Sequence, residues 1–234
     1  MKVMKKVELD FLRQVGLFAQ LSDEELDQVS SYFQEKQYKR NEIIFFEEDT
    51  GHYFYIVKEG RVKVSRLLPS GKEMILAFHE DGEYFGEMAL VDGGTTPATV
   101  TAVVNTTILS LGAARFRQLL QENPKVNDAL LKMLCSRCRD AWSQIEVLTF
   151  HNADSRIRTA LYQLCQKKGE ATANGETRIS LQLTHKELAD ITGISRETAT
   201  RVLSHLQNEK LLSVESRHFL IADPDELVDA LLLE

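Results

Sequence analysis

The sequence predicts an α+β chain, and three observations carry that expectation. The first 122 positions hold short alternating or apolar runs, with Gly51, Gly60, Gly71 and Gly82 between or beside them. From Asn123 to His151 there is no glycine, a single proline at the start and an apolar heptad. The remainder reads as helix, helix, tight glycine turn, helix and hairpin. The boundaries are accordingly set at 1–122, 123–151 and 152–234.

Composition narrows the function classes. With 43% hydrophobic residues among 234, the chain can bury real cores and is not disordered. No apolar run reaches roughly eighteen residues, so no membrane span or membrane partner is expected. "MKVMKKVELDFLRQ" starts basic but lacks the apolar stretch of a secretory signal, and a cytoplasmic protein is expected. Three cysteines, Cys135, Cys138 and Cys165, do not make a disulfide framework. There is no phosphate loop, zinc-protease motif or nucleophile elbow. No catalytic residue and no metal ligand set is therefore assigned, and an enzyme is not expected. A net charge of −7 and a pI near 5.5 argue against strong indiscriminate nucleic-acid binding, yet allow a local basic face.

The elements follow in order. "LSDEELDQVSSYF" opens with a capping box, Ser22 and Glu25, and predicts a short helix. "YKRNEIIFFEED", "HYFYIVKEG", "RVKVSRLL", "KEMILAFHEDG", "ATVTAVV" and "TTILSLG" predict the short strands of an antiparallel sandwich or barrel. In 123–151, Asn123 serves as cap and Pro124 suits the first turn. Leu131, Leu134, Cys138, Ala141, Ile145 and Leu148 recur at alternating three and four. A helix packed on its own domain carries such a stripe too, but its narrowness and its place between two blocks favour a homodimer seam. The pattern breaks near 150–153. "SRIRTALYQLCQKKG" predicts an amphipathic helix ending at Gly169, and "ATANGETRIS" a polar loop. "THKELADITG" carries a second capping box, Thr184 and Glu187, and stops at Gly193. "GISRETATRVL" opens the next helix, and "KLLSVESRHFLIAD" predicts two short strands around Ser216–Arg217. That layout is a winged helix-turn-helix.

Ser195 is a natural cap for the second helix of the pair. Ala199, Val202, Leu203 and Leu206 share one face and must pack on the first helix, so Glu197, Thr200, Arg201 and Ser204 point the other way. Arg196 sits in the first turn, where a recognition helix meets base edges. Arginine bonds guanine O6 and N7 bidentately, and glutamate accepts from cytosine N4. The alternative is a solvated face with an internal Arg–Glu pair; the two-helix spacing, the glycine turn and the hairpin favour DNA reading.

"HYFYIVKEGRVKV", "FGEMALVDGG" and "LTHKELADITGISRETATRVLSHLQNEKLL" resemble segments of the bacterial regulators typified by the cyclic-AMP receptor protein and the fumarate–nitrate regulator. The resemblance covers nearly the whole chain and is most specific at "SRETATR". It implies an N-terminal cyclic-nucleotide-binding-like β-roll, a long dimer helix and a C-terminal winged helix-turn-helix on a two-fold operator of double-stranded DNA, with RNA polymerase as a further partner. It implies base reading by Arg196, Glu197 and Arg201 on a TGTGA-like half-site, and backbone contacts from Thr184, Lys186, Ser195 and Thr198, with Arg217 on the same face.

The resemblance also implies an effector pocket at Gly86, Glu87, Met88, Thr95, Thr96 and Trp142. Nucleotide-binding members place an arginine and then a hydroxyl against the cyclic phosphate. Here "GGTTPATV" puts Thr96 or Pro97 at the arginine position and Pro97 or Ala98 at the hydroxyl position. No basic residue lies between Asp92 and Arg115, and on the dimer helix Ala141 and Trp142 replace two hydroxyls. A buried phosphate without a cation is costly. Cyclic AMP is therefore disfavoured and another small organic effector is favoured. Haem remains an alternative through His52, His79 or His151, and Cys135 with Cys138 offer a thiol or metal switch. An iron–sulfur cluster is weakly supported, since no cysteine precedes Cys135.

Overall fold

The computed structural model describes residues 9–229, which fall into two compact units dividing between Ser136 and Arg137. The first unit opens with α1 (Leu9–Gln14) and α2 (Asp23–Ser30). The expected capping box is present. The Ser22 hydroxyl accepts from the Glu25 N–H, and the Glu25 carboxylate accepts from the Ser22 N–H at 2.7 Å. The chain continues through β1 (Gln34–Tyr38), β2 (Ile43–Phe45), β3 (Tyr53–Glu59), β4 (Arg61–Leu67), β5 (Glu73–Glu80) and β6 (Tyr84–Phe85). A short helix α3 (Met88–Asp92) precedes β7 (Thr99–Ala102), β8 (Thr106–Gly112) and α4 (Ala113–Glu122).

Two four-stranded antiparallel sheets result, ordered β1-β8-β3-β6 and β2-β7-β4-β5. The period-two alternation of β3 explains how one strand serves two cores. Phe54 and Ile56 turn to a core shared with the helices, which includes Leu12, Phe18, Leu26 and Phe116. Tyr55 and Val57 turn instead to a cluster holding Val62, Phe85, Val100 and Ile108.

The long helix α5 (Pro124–Thr149) runs for 26 residues, about 39 Å, and passes through the division. Its first turn is anchored on the Asn123 carbonyl, which accepts from Val126 and Asn127. Val126 and Leu130 are buried in the helix-side core, and Met133 and Leu134 pack against it.

In the second unit, Asn152 caps α6 (Ala153–Lys168) by accepting from the Ser155 N–H. Arg158 is buried between Asp154, at 2.5 Å, and Glu209, at 2.8 Å. The strands β9 (Gly169–Ala171) and β10 (Thr177–Ile179) follow, then α7 (His185–Thr192), α8 (Arg196–Asn208), β11 (Leu212–Glu215), β12 (His218–Ile221) and α9 (Glu226–Asp229). The segment expected as a polar loop is largely a hairpin. Gly175 takes a positive φ of 86° in its turn, and β9 and β10 extend the two-stranded wing to a four-stranded sheet, β11-β12-β10-β9. No helix among the described residues is long and apolar enough to cross a membrane.

Candidate nucleic-acid interface and effector cavity

The helix pair is built by local chemistry. Thr184 and Glu187 cap α7 reciprocally, and Gly193 ends it in the left-handed conformation, φ 69°. The Ser195 hydroxyl then starts α8 by accepting from the Thr198 N–H at 3.1 Å. Ala199, Val202, Leu203 and Leu206 are buried, while Arg196, Glu197 and Arg201 are exposed on the other side. Thr200 departs from the expected outward face: it is half-buried, and its hydroxyl lies 3.0 Å from His185 Nδ1, tying α8 to α7. The Glu197 carboxylate is held below its usual range, first by its own backbone N–H at the helix start, then by the Ser195 hydroxyl and the Arg196 charge.

Thr184 and Lys186 are exposed at the start of α7. Lys186 is paired with Asp190 at 2.5 Å, so a phosphate must compete with that carboxylate. The wing turns at Ser216 and Arg217, with φ of 48° and 67°, between the paired Glu215 and His218. Both central residues are left-handed, the primed-turn geometry that glycine and asparagine usually fill. The turn leaves Arg217 exposed at the wing tip.

Along α5 the structure brings together a different exposed stripe from the one read in sequence. Leu131, Trp142 and Ile145 are 55%, 67% and 58% exposed, and Cys135 and Cys138 are exposed with them. Ala141 is exposed beside this stripe. Leu134 is turned into its own unit's core, and Leu148 is half-buried near Gly193. Neither therefore joins the exposed stripe of a single chain.

The first unit holds a cavity of about 270 Å³ lined by residues including Phe45, Asp49, His52, Tyr53, Tyr55, Gly86 and Thr96. Phe45 and Tyr55 lie 5.4 Å apart between ring centroids, and Tyr53 and Tyr55 lie 6.0 Å apart. Burial, helped by Tyr38, Tyr53 and Asp49, pushes the Tyr55 phenol up to about 12, which keeps it a neutral donor. Gly86 has φ 84°, and a β-carbon there would meet the Tyr55 ring at 2.8 Å.

The six residues expected in the pocket divide. Gly86 and Thr96 line this cavity. Glu87 is fully buried and does not line it, while Met88 and Thr95 are exposed. Trp142 lies in the second unit, and every lining residue belongs to the first. The Thr96 hydroxyl donates to the Phe46 carbonyl at 2.6 Å. The aromatic lining was missed, although the alternation in "HYFYIV" sets Tyr53 and Tyr55 on one face. Of the histidines considered, His52 lies at the cavity with Nε2 3.0 Å from the Thr50 hydroxyl. His79 stacks on Phe85 and faces Glu83, and His151 is exposed.

Residues 35–123 match the family model of a cyclic nucleotide-binding domain, and residues 155–230 match that of a Crp-like helix-turn-helix domain. The cyclic AMP receptor protein of Thermus thermophilus is 36% identical over 193 residues, 82% of this chain and 86% of that protein. The global nitrogen regulator of a Nostoc species is 32% identical over 80% of this chain and 84% of its own. Among solved structures, a CooA mutant from Carboxydothermus hydrogenoformans superposes with a TM-score of 0.75 at 25% identity, covering 87% of this chain and 89% of that one. Each half matches its own domain model, and a 36% identical relative is covered over most of its length: the chain belongs to the cyclic-AMP receptor protein/fumarate–nitrate regulator family of DNA-binding transcription regulators.

Proposed function

We propose that this regulator binds DNA as a homodimer on an inverted repeat of TGTGA-like half-sites, under the control of a small organic effector other than cyclic AMP. The observation that carries the DNA reading is the exposed first half of α8, where Arg196, Glu197 and Arg201 project from a helix whose opposite face is buried. The arginines suit the two guanines of the half-site, and Glu197 suits a cytosine on the complementary strand. Thr184, Lys186, Ser195 and Thr198 border that face and suit phosphates, with Arg217 reaching from the wing. Half-sites one helical turn apart require a two-fold protein. Leu131, Cys135, Cys138, Trp142 and Ile145 supply the apolar stripe for it. RNA polymerase is the further partner that family membership supports.

Kinship does not select the effector, since one relative is named for cyclic AMP and another for nitrogen regulation at comparable identity. The cavity supports a choice: it is aromatic, carries the Asp49 carboxylate and, among the described residues, is lined by no lysine or arginine. Such a lining suits an uncharged ligand, or one bringing its own cation, better than a bare phosphate.

Base substitution tests the DNA reading. Arg196→Ala and Arg201→Ala should each relax preference at one half-site position, by about 1–3 kcal/mol. Lys186→Ala should weaken all sequences alike and flatten the salt dependence by about one unit of slope. If Arg201→Ala weakens cognate and scrambled DNA equally, the assignment of α8 is wrong.

A further inference from the structure

Cys135 and Cys138 are free, exposed and three residues apart on the outward stripe of α5. That stripe, Leu131, Cys135, Cys138, Trp142 and Ile145, steps by four, three, four and three, the spacing of a two-stranded seam. The geometry points to a metal site closed by two copies of this chain, in which Cys135 and Cys138 of each copy hold one thiophilic divalent ion of the zinc class. The inference rests on the homodimer reading above.

Three physical points lead there. The first is spacing. Cysteines at i and i+3 on one helix have β-carbons about 5–6 Å apart, whereas a disulfide needs about 3.5–4.5 Å. The intact helix therefore cannot oxidise this pair within itself. A tetrahedral ion at about 2.3 Å from each sulfur needs sulfurs only about 3.8 Å apart, which two side chains leaning to one point supply. The second is number. Among the described residues of one chain, no group of three or more metal-ligating side chains exists, so one chain offers two thiolates and not four. In a parallel two-fold seam each layer faces its own copy. The Cys135 layer and the Cys138 layer then lie about 4.5 Å apart along the axis and present four sulfurs around one point.

The third is packing. Seam layers are normally filled by branched aliphatic side chains, as Leu131 and Ile145 fill them at the ends. Two successive cysteine layers leave the middle underfilled, a void that an ion occupies. Four thiolates around a divalent ion carry a net charge of −2, and the exposed Arg139 of each chain lies next to Cys138 to offset it. Cys165 takes no part. It is buried, and burial pushes its thiol up to about 11, which makes it an internal control.

The test uses the full-length protein, stripped with chelator under reductant and titrated with Co²⁺ and then Zn²⁺. The expected result is one ion per two chains, the intense visible bands of tetrahedral thiolate-bound cobalt, and loss of two titratable thiols per chain. Cys135→Ser and Cys138→Ser should each weaken zinc binding by more than about 100-fold, and Cys165→Ser should leave it unchanged. No thiolate–cobalt band, one ion per chain, or a chain that only cross-links covalently under a disulfide-forming oxidant such as diamide would overturn the site. Sedimentation of the stripped protein separates the two readings. A dimer without metal affinity rejects the site and keeps the seam; a monomer under every condition rejects both.

Discussion

Cyclic AMP should fail to bind this chain with useful affinity, and the structure sets the scale. The ligand carries one full negative charge on its cyclic phosphate. Among the described residues, the cavity of the first unit is lined by Asp49 and by no lysine or arginine. Its buried hydroxyl, that of Thr96, already donates to the Phe46 carbonyl at 2.6 Å. Leaving one partner of a buried charge pair unmatched costs about 3–5 kcal/mol, a factor of hundreds to thousands in dissociation constant. A micromolar ligand thus becomes one of roughly millimolar affinity or weaker. Isothermal calorimetry on the wild-type protein should show no heat of binding below that concentration. Pro97→Arg, at an exposed position beside Thr96, restores a cation and should recover one to two orders of magnitude. A micromolar constant for the wild type, accompanied by tighter operator binding, would refute the reasoning and mean that a cation from elsewhere in the chain reaches the phosphate.

Two further outcomes follow from packing. Ile145 is 58% exposed in one chain, so a two-fold seam buries it twice; Ile145→Glu removes about 1–2 kcal/mol of apolar burial per chain and sets two like charges together. Sedimentation should report a monomer that no longer binds operator, with circular dichroism unchanged; an unchanged dimer means that the seam lies elsewhere. Gly60 and Gly193 both have positive φ, but a β-carbon at Gly60 would lie 2.9 Å from the Asn105 carbonyl oxygen, whereas at Gly193 it meets nothing closer than 3.5 Å. Gly193→Ala should therefore cost about 1–2 kcal/mol from its backbone angle alone, and Gly60→Ala clearly more, read as shifts in urea midpoint; equal shifts would contradict this.

What could be read from sequence was local. Ser22, Thr184 and Ser195 cap their helices as expected, because a cap depends on four adjacent residues. The buried face of α8 was legible for the same reason: its period is set within the helix. What failed depended on partners distant in the chain. β1, "QEKQY", has four of five residues exposed and no apolar alternation; its strand identity comes from pairing with β8, Gln34 opposite Ser110 through Tyr38 opposite Thr106. The hairpin of β9 and β10 did carry a signal, the Asn174–Gly175 dipeptide, which the polar composition around it obscured.

The stripe on α5 shows the limit most clearly. Its period is visible in sequence, but two overlapping sets of residues share it. The packing of Leu134 against the first unit's core and of Leu148 near Gly193 separates the covered set from the exposed one. The cavity is similar. Its glycine was legible at Gly86, yet the commitment of the Thr96 hydroxyl to Phe46 spans fifty residues of chain.

Selection of bound sequences from randomised double-stranded DNA by the wild-type protein tests the recognition role of α8 most directly. A two-fold pair of α8 helices should enrich an inverted repeat, TGTGA facing TCACA, with half-site centres about one helical turn apart. The same selection with Arg196→Ala or Arg201→Ala should lose preference at one position of each half-site and keep the rest. An unrelated motif, a single unrepeated site, or an enrichment that neither substitution alters would contradict the assignment of Arg196, Glu197 and Arg201 as the residues that read DNA.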